Sequence, residues 1–391
     1  MSPGLLSRSP DLQRLRGDGY FLQIRGSLAV LRVPYVNAKK EVCTGHLIST
    51  LNLAGDITQR PDTHITYFDG DYPCNADGQP IEAIRHQTAV IDLGHGVVAK
   101  HSFSSKPAAG YADYYEKLTT YAAILSGHAA KLNGATPRMF AAPDDGDDTC
   151  MFNYLDTASD RAGVGALSQR LANEIVAIAG LGGSGAYVLD LVAKAPAREI
   201  RTIDGDEMLT HNAFRAPGAP TLDELRQVQK KVDYYKAIYS RMHRNIVAHP
   251  VNIDTNNLHL LDGATFVFIC IDGGEAKRSI IEYLEARGVS FIDVGMGLEL
   301  VDGSLGGILR VTVSTPEKRD HVHSGRISFA GGGEGDLYAS NIQVADLNCL
   351  NATLAVIKWK KLRGFYRDLE REHHCTYTTD ANMLLNQDLL G

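Results

Sequence analysis

The chain has 391 residues and a formal net charge of −7 at pH 7. This acidic balance excludes nucleic acid as the main expected partner. Hydrophobic residues make up 44% of the chain, which is enough for the cores of two domains. The six cysteines are scattered and favour a reducing compartment over a disulfide framework.

The N-terminus has no apolar signal-peptide core, and no apolar stretch approaches the length of a membrane span. The composition therefore predicts a soluble cytoplasmic enzyme without a membrane partner.

Residues 1–140 predict an α+β domain. Strand patterns occur at Gly26–Pro34, Glu41–Leu51 and Thr63–Phe68, and Tyr111–Leu132 has the pattern of an amphipathic helix. The sequence does not reveal what this domain does. Our hypothesis is that this domain docks another protein.

A short acidic, turn-rich stretch at 141–148 marks the predicted domain boundary, so the second domain is expected at 150–391. This domain opens with a strand, a glycine turn and a helix start. Such a turn presents backbone N–H groups to a phosphate.

Each glycine of the turn has an expected task. Gly180 permits the tight turn, and Gly182 and Gly183 let the backbone approach a phosphate. Gly185 lets the helix pack closely on the strand. Taken alone, this turn leaves NAD, FAD and ATP equally open as ligands.

The next strand, Glu199–Ile203, ends in an acidic turn. Asp204 is placed to accept hydrogen bonds from ribose hydroxyls. Asp206 is expected to cap the turn or to orient Arg215. Asn212 and Arg215 follow closely, and a NAD enzyme has no need of an arginine aimed at a triphosphate.

The apolar run Ala264–Ile271 predicts a strand that is buried on both faces. It ends at Asp272, and a helix is expected from about Ala276. Because Mg²⁺ binds through one or two carboxylates plus substrate phosphates, Asp272 is the metal candidate. Lys231 is the candidate to neutralise the β- and γ-phosphates, with Lys230 as an alternative.

Two later segments complete the predicted domain. Gly303–Val313 reads as a turn and a strand, and Asn341–Arg363 has apolar residues at helical spacing. The helix is expected to cover the sheet or to form a subunit interface.

The ordered set Gly-x-Gly-Gly-x-Gly, Asp-x-Asp, Asn-x-x-Arg, Lys and strand-Asp resembles the ThiF/MoeB-type adenylyltransferase family, to which ubiquitin-activating enzymes are related. The resemblance covers about Asp160 to Leu362. It implies an α/β, Rossmann-like ATP-binding adenylation domain with a mainly parallel sheet, preceded here by a smaller α+β domain. The implied activity uses ATP and Mg²⁺ to adenylate the C-terminal carboxylate of a ubiquitin-like or sulfur-carrier protein, in a bacterial pathway.

The resemblance also implies a role for each site residue. The glycines form the nucleotide loop, Asp204 holds the ribose, and Asp272 is the magnesium-linked aspartate. The residues expected to contact the phosphates are Asn212, Arg215 and Lys231. Relatives often take a further arginine from upstream, frequently across a homodimer interface, and Arg161 is the best match.

Two departures from the family pattern bear on function. The chain has no Cys-x-x-Cys pairs, so no structural zinc is expected. The predicted crossover loop at Ser314–Ala339 has no cysteine for a thioester. Cys74 is the best remaining candidate, although an ordinary exposed thiol is the expectation. The adenylate is then the final product, or another cysteine accepts it.

Three other functions compete with this prediction. The first is the same chemistry on a modified tRNA base, which the acidic charge disfavours. The second is a NAD- or FAD-dependent oxidoreductase, which Arg215 and Asp272 argue against. The third is a scaffold that binds ATP without turnover.

Overall fold

The computed structural model describes residues 3–140, 151–272, 274–329 and 342–390. The chain divides into two compact units, Met1–Ala166 and Leu167–Gly391. The acidic stretch at 141–148 lies outside the described residues, and the domain limits 1–140 and 150–391 stay a prediction. Within the described ranges, no helix is both long enough and apolar enough to cross a membrane.

The first unit is built on a six-stranded antiparallel sheet with the order β1-β2-β3-β6-β8-β7, beside a two-stranded ribbon of β4 and β5. The strands are β1 Leu22–Arg25, β2 Leu28–Val36, β3 Val42–Thr50, β4 Leu53–Ala54, β5 Ile57–Thr58, β6 Ile65–Asp69, β7 Arg85–Asp92 and β8 Val98–Ser104. The helices are α1 Pro3–Arg8, α2 Pro10–Gly17, α3 Tyr114–Asn133 and α4 Thr157–Arg161.

Helix α3 covers this sheet through one apolar stripe. Tyr114, Leu118, Tyr121 and Leu125 recur at helical spacing and are fully buried. The helix starts where the Asp113 carboxylate accepts a hydrogen bond from the backbone N–H of Glu116 at 2.8 Å. The predicted α+β character of this region is confirmed.

The second unit is an eight-stranded sheet with the order β11-β10-β9-β12-β13-β14-β15-β16. Its strands are β9 Ile175–Ala179, β10 Glu199–Ile203, β11 Ile246–His249, β12 Phe266–Ile269, β13 Ser290–Val301, β14 Ser304–Ser314, β15 Glu372–Thr378 and β16 Met383–Leu389. Its helices are α6 Gly183–Val192, α7 Thr210–Ala213, α8 Leu222–Arg226, α9 Lys231–Tyr239, α10 Glu275–Ala286 and α11 Ala345–Leu362, and α5 Gly165–Ser168 runs into this unit.

In the order of the sheet, neighbouring strands pair in parallel from β11 through β10, β9 and β12 to β13. From β13 through β14 and β15 to β16, neighbouring strands pair antiparallel. The prediction of a Rossmann-like, mainly parallel sheet is confirmed, with an antiparallel extension that the sequence analysis did not specify. Because the carboxyl ends of parallel strands meet at one edge, the turns after β9, β10 and β12 lie together.

Both faces of the sheet are covered. In β9, Val176 and Ile178 pack into one buried cluster, while Ala177 and Ala179 pack into another. The first cluster includes Trp359 of α11, and the second includes residues of α10. The strand predicted at 264–271 is shorter than expected and ends at Ile269, which leaves Cys270 and Ile271 in the turn before Asp272.

The first unit contains one buried cation that makes its stability sensitive to pH. Lys117 of α3 is fully buried, and its Nζ donates a hydrogen bond to Ser49 Oγ at 2.9 Å. Burial disfavours the charged amine and lowers the pKa of Lys117 from 10.5 to about 8, while Asp62 opposes this shift.

Replacing Lys117 by methionine should alter the pH dependence of stability. Between pH about 8 and 10.5 the unfolded chain keeps a proton that the folded chain has released. The free energy of unfolding of the wild type, relative to that of Lys117→Met, should therefore rise with pH across this window, by at most roughly 1.4 kcal/mol per pH unit. The measurement is urea unfolding of both proteins at several pH values, followed by circular dichroism.

The control is Lys131→Met, which changes an exposed lysine on the same helix and should keep the wild-type slope. Equal slopes for Lys117→Met and the wild type would contradict the prediction.

Candidate functional site

The glycine turn between β9 and α6 is fixed by steric limits. Gly180 has a φ of 90°, and a Cβ at this position would lie 2.7 Å from the carbonyl oxygen of Cys270. A Cβ at Gly185 would collide with the carbonyl oxygen of Gly180. The turn therefore packs against the end of β12, and no larger residue fits at either position.

The middle glycines have different surroundings. Gly182 precedes the first residue of α6, and a Cβ there would meet open space. Gly183 faces helix α11, where a Cβ would collide with the side-chain amide of Asn348. Gly182 thus leaves the helix start accessible, while Gly183 lets α11 approach it.

Asn348 joins three segments of the site. It is fully buried, its Oδ1 accepts from Ser184 Oγ at 3.0 Å, and its Nδ2 donates to the backbone oxygen of Arg215 at 3.0 Å. The amide thus fixes the start of α6 relative to the Arg215 turn.

Asp204 ties the glycine turn to the turn after β10. It is 8% exposed, and its Oδ2 accepts a hydrogen bond from the backbone N–H of Leu181 at 2.6 Å. Its Oδ1 accepts from the backbone N–H of Asp206 at 2.8 Å. Each carboxylate oxygen can accept one further hydrogen bond, so Asp204 retains the capacity to accept from a ribose hydroxyl.

Lys231 is the cation of this turn. Its side chain is 6% exposed, and its Nζ donates to Asp206 Oδ2 at 2.8 Å and lies 3.8 Å from Asp204 Oδ1. Lys230 instead donates from Nζ to the backbone oxygen of Gly205 at 2.7 Å. The structure thus places Lys231, rather than Lys230, against the two aspartates.

Asn212 and Arg215 lie in the segment that follows. Asn212 is buried, and its Oδ1 accepts from the backbone N–H of Leu209 at 2.9 Å, so it caps the short helix α7. Arg215 Nε is buried and has no hydrogen-bond acceptor among the described residues. A buried guanidinium N–H without a partner is costly, and a phosphate oxygen would satisfy it.

A cavity of about 490 Å³ opens at this edge of the sheet. It is lined by the helix start at Gly182–Ser184, by Asp272, and by residues of α10, β13 and β14. Asp272 is exposed at the end of the turn that follows β12, as predicted for a strand-end acid. Its neighbour Gly273 lies outside the described residues.

The cysteine that lines the described part of the cavity is not a reactive thiol. Cys270 lines it, but burial raises the pKa of this thiol well above its usual range, so the nucleophilic thiolate is disfavoured. The expectation that Cys74 is an exposed thiol is wrong. Cys74 is 1% exposed, and burial raises its pKa as well.

Arg161 ends the short helix α4, and its side chain lies outside the described residues. No contact of Arg161 is therefore assigned, and its predicted role as the upstream arginine stays a prediction.

Sequence reasoning missed four polar residues near this edge: Asn348, Lys277, Asp293 and Arg310. Asn348 lies within an apolar helical repeat, and Asp293 interrupts an apolar strand. A polar residue in such an apolar pattern is expected to be buried and to need a polar partner. This interruption of the pattern was the sequence signal for Asn348 and Asp293. Lys277 and Arg310 carry no comparable signal, because their partner is distant in sequence.

Comparison with known families assigns both parts of the chain. Residues 10–157 match a domain of unknown function, DUF6791. Residues 158–320 match the ThiF family. No curated protein sequence gives a significant match.

Several solved structures are similar to a part of this chain. PaaA is 18% identical over 57% of this chain and 76% of its own, with a TM-score of 0.46. E. coli MccB, solved with ATP, is 18% identical over 60% of this chain and 69% of its own, with a TM-score of 0.44. The Microcin C7 biosynthetic enzyme MccB, in complex with N-formylated MccA, is 17% identical over 60% of this chain and 70% of its own, with a TM-score of 0.47. Because these sequence identities and TM-scores are low, the structural similarities do not contribute to the family assignment.

The family match agrees with the resemblance inferred from the glycine turn, the aspartate turn and the strand-end acid, which is thereby confirmed. Residues 158–320 of this chain are a ThiF family domain.

Proposed function

We propose that this chain is an ATP- and Mg²⁺-dependent adenylyltransferase that activates the C-terminal carboxylate of a peptide or protein acceptor. The observation that carries the proposal is the joining of the glycine turn to a buried cation through Asp204. The ThiF family domain at 158–320 supports the same activity.

The nucleotide half of the site consists of the glycine turn and the segment after β10. The open start of α6 offers backbone N–H groups to phosphate oxygens, and the helix dipole favours negative charge there. Arg215 has a buried N–H with no acceptor within the described ranges, and Lys231 is a nearly buried cation. These features favour a polyphosphate over an uncharged ligand.

Asp272 fits the metal that this activity requires. Within the described ranges, no three His, Cys, Asp or Glu side chains form a group that could hold a metal on their own. Mg²⁺ commonly binds through one or two carboxylates with phosphate oxygens as the other ligands. An exposed aspartate beside the glycine turn suits that mode. The ion, when bound, would neutralise phosphate charge.

The proposed reaction forms one bond and breaks one. A carboxylate oxygen of the acceptor attacks the α-phosphorus of ATP, and the bond between the α-phosphorus and its bridging oxygen breaks. The electron pair leaves with pyrophosphate, and an acyl-adenylate remains. This step needs no protein nucleophile. The chain supplies position and positive charge through Arg215, Lys231 and the backbone amides of the turn.

The acceptor we favour is a ubiquitin-like or sulfur-carrier protein in a bacterial conjugation or sulfur-transfer pathway. The motif order resembles enzymes of that class, and Gly295 and Gly297 of β13 line the cavity. We further propose a homodimer, a contribution of Arg161 to phosphate binding, and docking of the carrier or a conjugating enzyme by residues 1–140.

A nicotinamide or flavin oxidoreductase is the main competing function. Such an oxidoreductase would need few cationic side chains near the phosphates apart from the glycine turn itself. Two features favour ATP. Lys231 is nearly buried against two aspartates, and a buried N–H of Arg215 meets no acceptor in the described part of the chain. A scaffold that binds ATP without turnover shares these features and differs only in activity.

The first test is binding of ATP, NAD and FAD to the purified chain by calorimetry. We expect ATP to bind and Mg²⁺ to strengthen it, with no comparable binding of NAD or FAD. Tight NAD or FAD binding without a response to ATP would overturn the proposal. Pyrophosphate release on adding carrier proteins that end in Gly-Gly would then separate the enzyme from the scaffold.

Replacing Lys231 by methionine should weaken ATP binding about tenfold or more, because a charge-assisted contact is lost. Calorimetry gives the dissociation constant, and thermal unfolding checks that the variant folds. The matched control is Lys230→Met, whose amine contacts the Gly205 carbonyl and should leave ATP binding near the wild-type value. The assignment would be reversed if only Lys230→Met lost affinity.

Replacing Asp272 by alanine should remove the strengthening of ATP binding by Mg²⁺ and leave binding without metal almost unchanged. Since Asp272 is exposed, the fold should survive. The measurement is ATP calorimetry with and without Mg²⁺. The control is Glu275→Ala, another exposed acid three residues away, which should keep the metal response. A persistent Mg²⁺ response in Asp272→Ala would remove the metal assignment.

A further inference from the structure

A charged cluster lies at the side of the cavity away from the glycine turn. Lys277 of α10 and Arg310 of β14 both contact Asp293 of β13. Lys277 Nζ lies 2.7 Å from Asp293 Oδ1, and Arg310 Nη2 lies 3.3 Å from Asp293 Oδ2. Both cationic side chains line the cavity.

The cluster contains one more positive charge than negative charge. The Asp293 side chain is fully buried, that of Lys277 is 4% exposed, and that of Arg310 is 27% exposed. Arg310 Nε is buried and has no hydrogen-bond acceptor among the described residues. An uncompensated charge at such a site is costly, and a second oxyanion would offset the cost.

Local structure does not account for the two cations. Lys277 lies in the first turn of α10, where the helix dipole disfavours positive charge. Arg310 pairs in register with Gly295, and a Cβ at Gly295 would lie 2.5 Å from Arg310 Nη2. Glycine at 295 thus lets the guanidinium lie across the neighbouring strand and reach Asp293.

The cluster is separate from the nucleotide residues. Gly295 lies on β13, which is two strands from β9 in the sheet order, or roughly 10 Å at ordinary strand spacing. The phosphate-directed residues follow β9 and β10, on the other side of β12. One cavity is lined by both the helix start after β9 and the cluster. An anion bound at the cluster would therefore face the phosphates across this cavity.

We infer that Arg310 and Lys277 bind the carboxylate of the acceptor, and that Asp293 is a positioning residue which holds both cations. This inference rests on the proposed adenylyl transfer. A carboxylate that approaches a triphosphate is repelled by it, and two cations at the point of approach offset that repulsion. A guanidinium also orients a carboxylate through paired N–H donors. The acceptor is thus selected for a negative charge at its reacting end.

The test uses arginine modification by phenylglyoxal, read at each residue by mass spectrometry of the full chain. The probe is N-acetylglycine, which carries the reacting carboxylate, and N-acetylglycinamide is its uncharged match. At about twice its Kd, N-acetylglycine should slow modification of Arg310 about threefold, and the amide should not. Arg226, which is exposed beside Asp223, should be modified at the same rate throughout.

A third arm adds ATP with Mg²⁺ instead of the probe. Protection of Arg310 by ATP but not by N-acetylglycine would assign the cluster to a phosphate and overturn the inference. Equal protection by the acid and the amide, or protection by neither, would also overturn it. ATP calorimetry on the same sample tests the proposed function separately, because ATP can bind while the carboxylate site fails.

A variant pair tests the charge argument. Lys277→Met removes one cation and leaves Arg310 paired with Asp293, so protection by N-acetylglycine should be largely lost. Arg278→Met changes the adjacent, half-exposed arginine, which pairs with Glu275, and should keep full protection. Protection that survives in Lys277→Met would contradict the role of Lys277. If that variant does not fold, the three arms on the wild type still decide the inference.

Discussion

The Asp204 carboxylate is the contact on which the nucleotide half of the site depends. One oxygen accepts from the backbone of the glycine turn, and the other accepts from the backbone of the turn after β10. Lys231 lies opposite, against Asp204 and Asp206. The carboxylate thus adds a side-chain anchor between two turns that are distant in sequence and that also share a backbone hydrogen bond from Gly180 N–H to the Ile203 oxygen. Because the side chain is nearly buried, its hydrogen bonds are little weakened by competing water.

A second constraint is the close packing of α11 on the start of α6. Gly183 leaves room for the Asn348 amide, which also bonds to Ser184 and to the backbone of Arg215. A larger residue at 183 would separate the two helices and release the Arg215 turn. The position of the phosphate-directed arginine thus depends on a helix that begins more than a hundred residues later in the chain.

The two charged clusters at this edge of the sheet are balanced differently. Beside the turn after β10, Lys231 is neutralised by two aspartates. On the β13–β14 side, two cations share the single buried carboxylate of Asp293, which leaves positive charge facing the cavity. Such an arrangement suits a reaction in which two anions must meet. It also explains why glycine is needed at 295, where the Arg310 guanidinium crosses the strand.

The sequence alone determined the α/β class, the resemblance to the ThiF family and, through that resemblance, a mainly parallel sheet. These depend on local periodicity and on short motifs whose residues lie close together in the chain. Only the tertiary structure decided which lysine faces the aspartates, that Cys74 is buried, and that Asn348, Lys277, Asp293 and Arg310 border the site. Their partners lie on other helices and strands, and periodicity reports whether a residue faces the core but not which distant group it meets there.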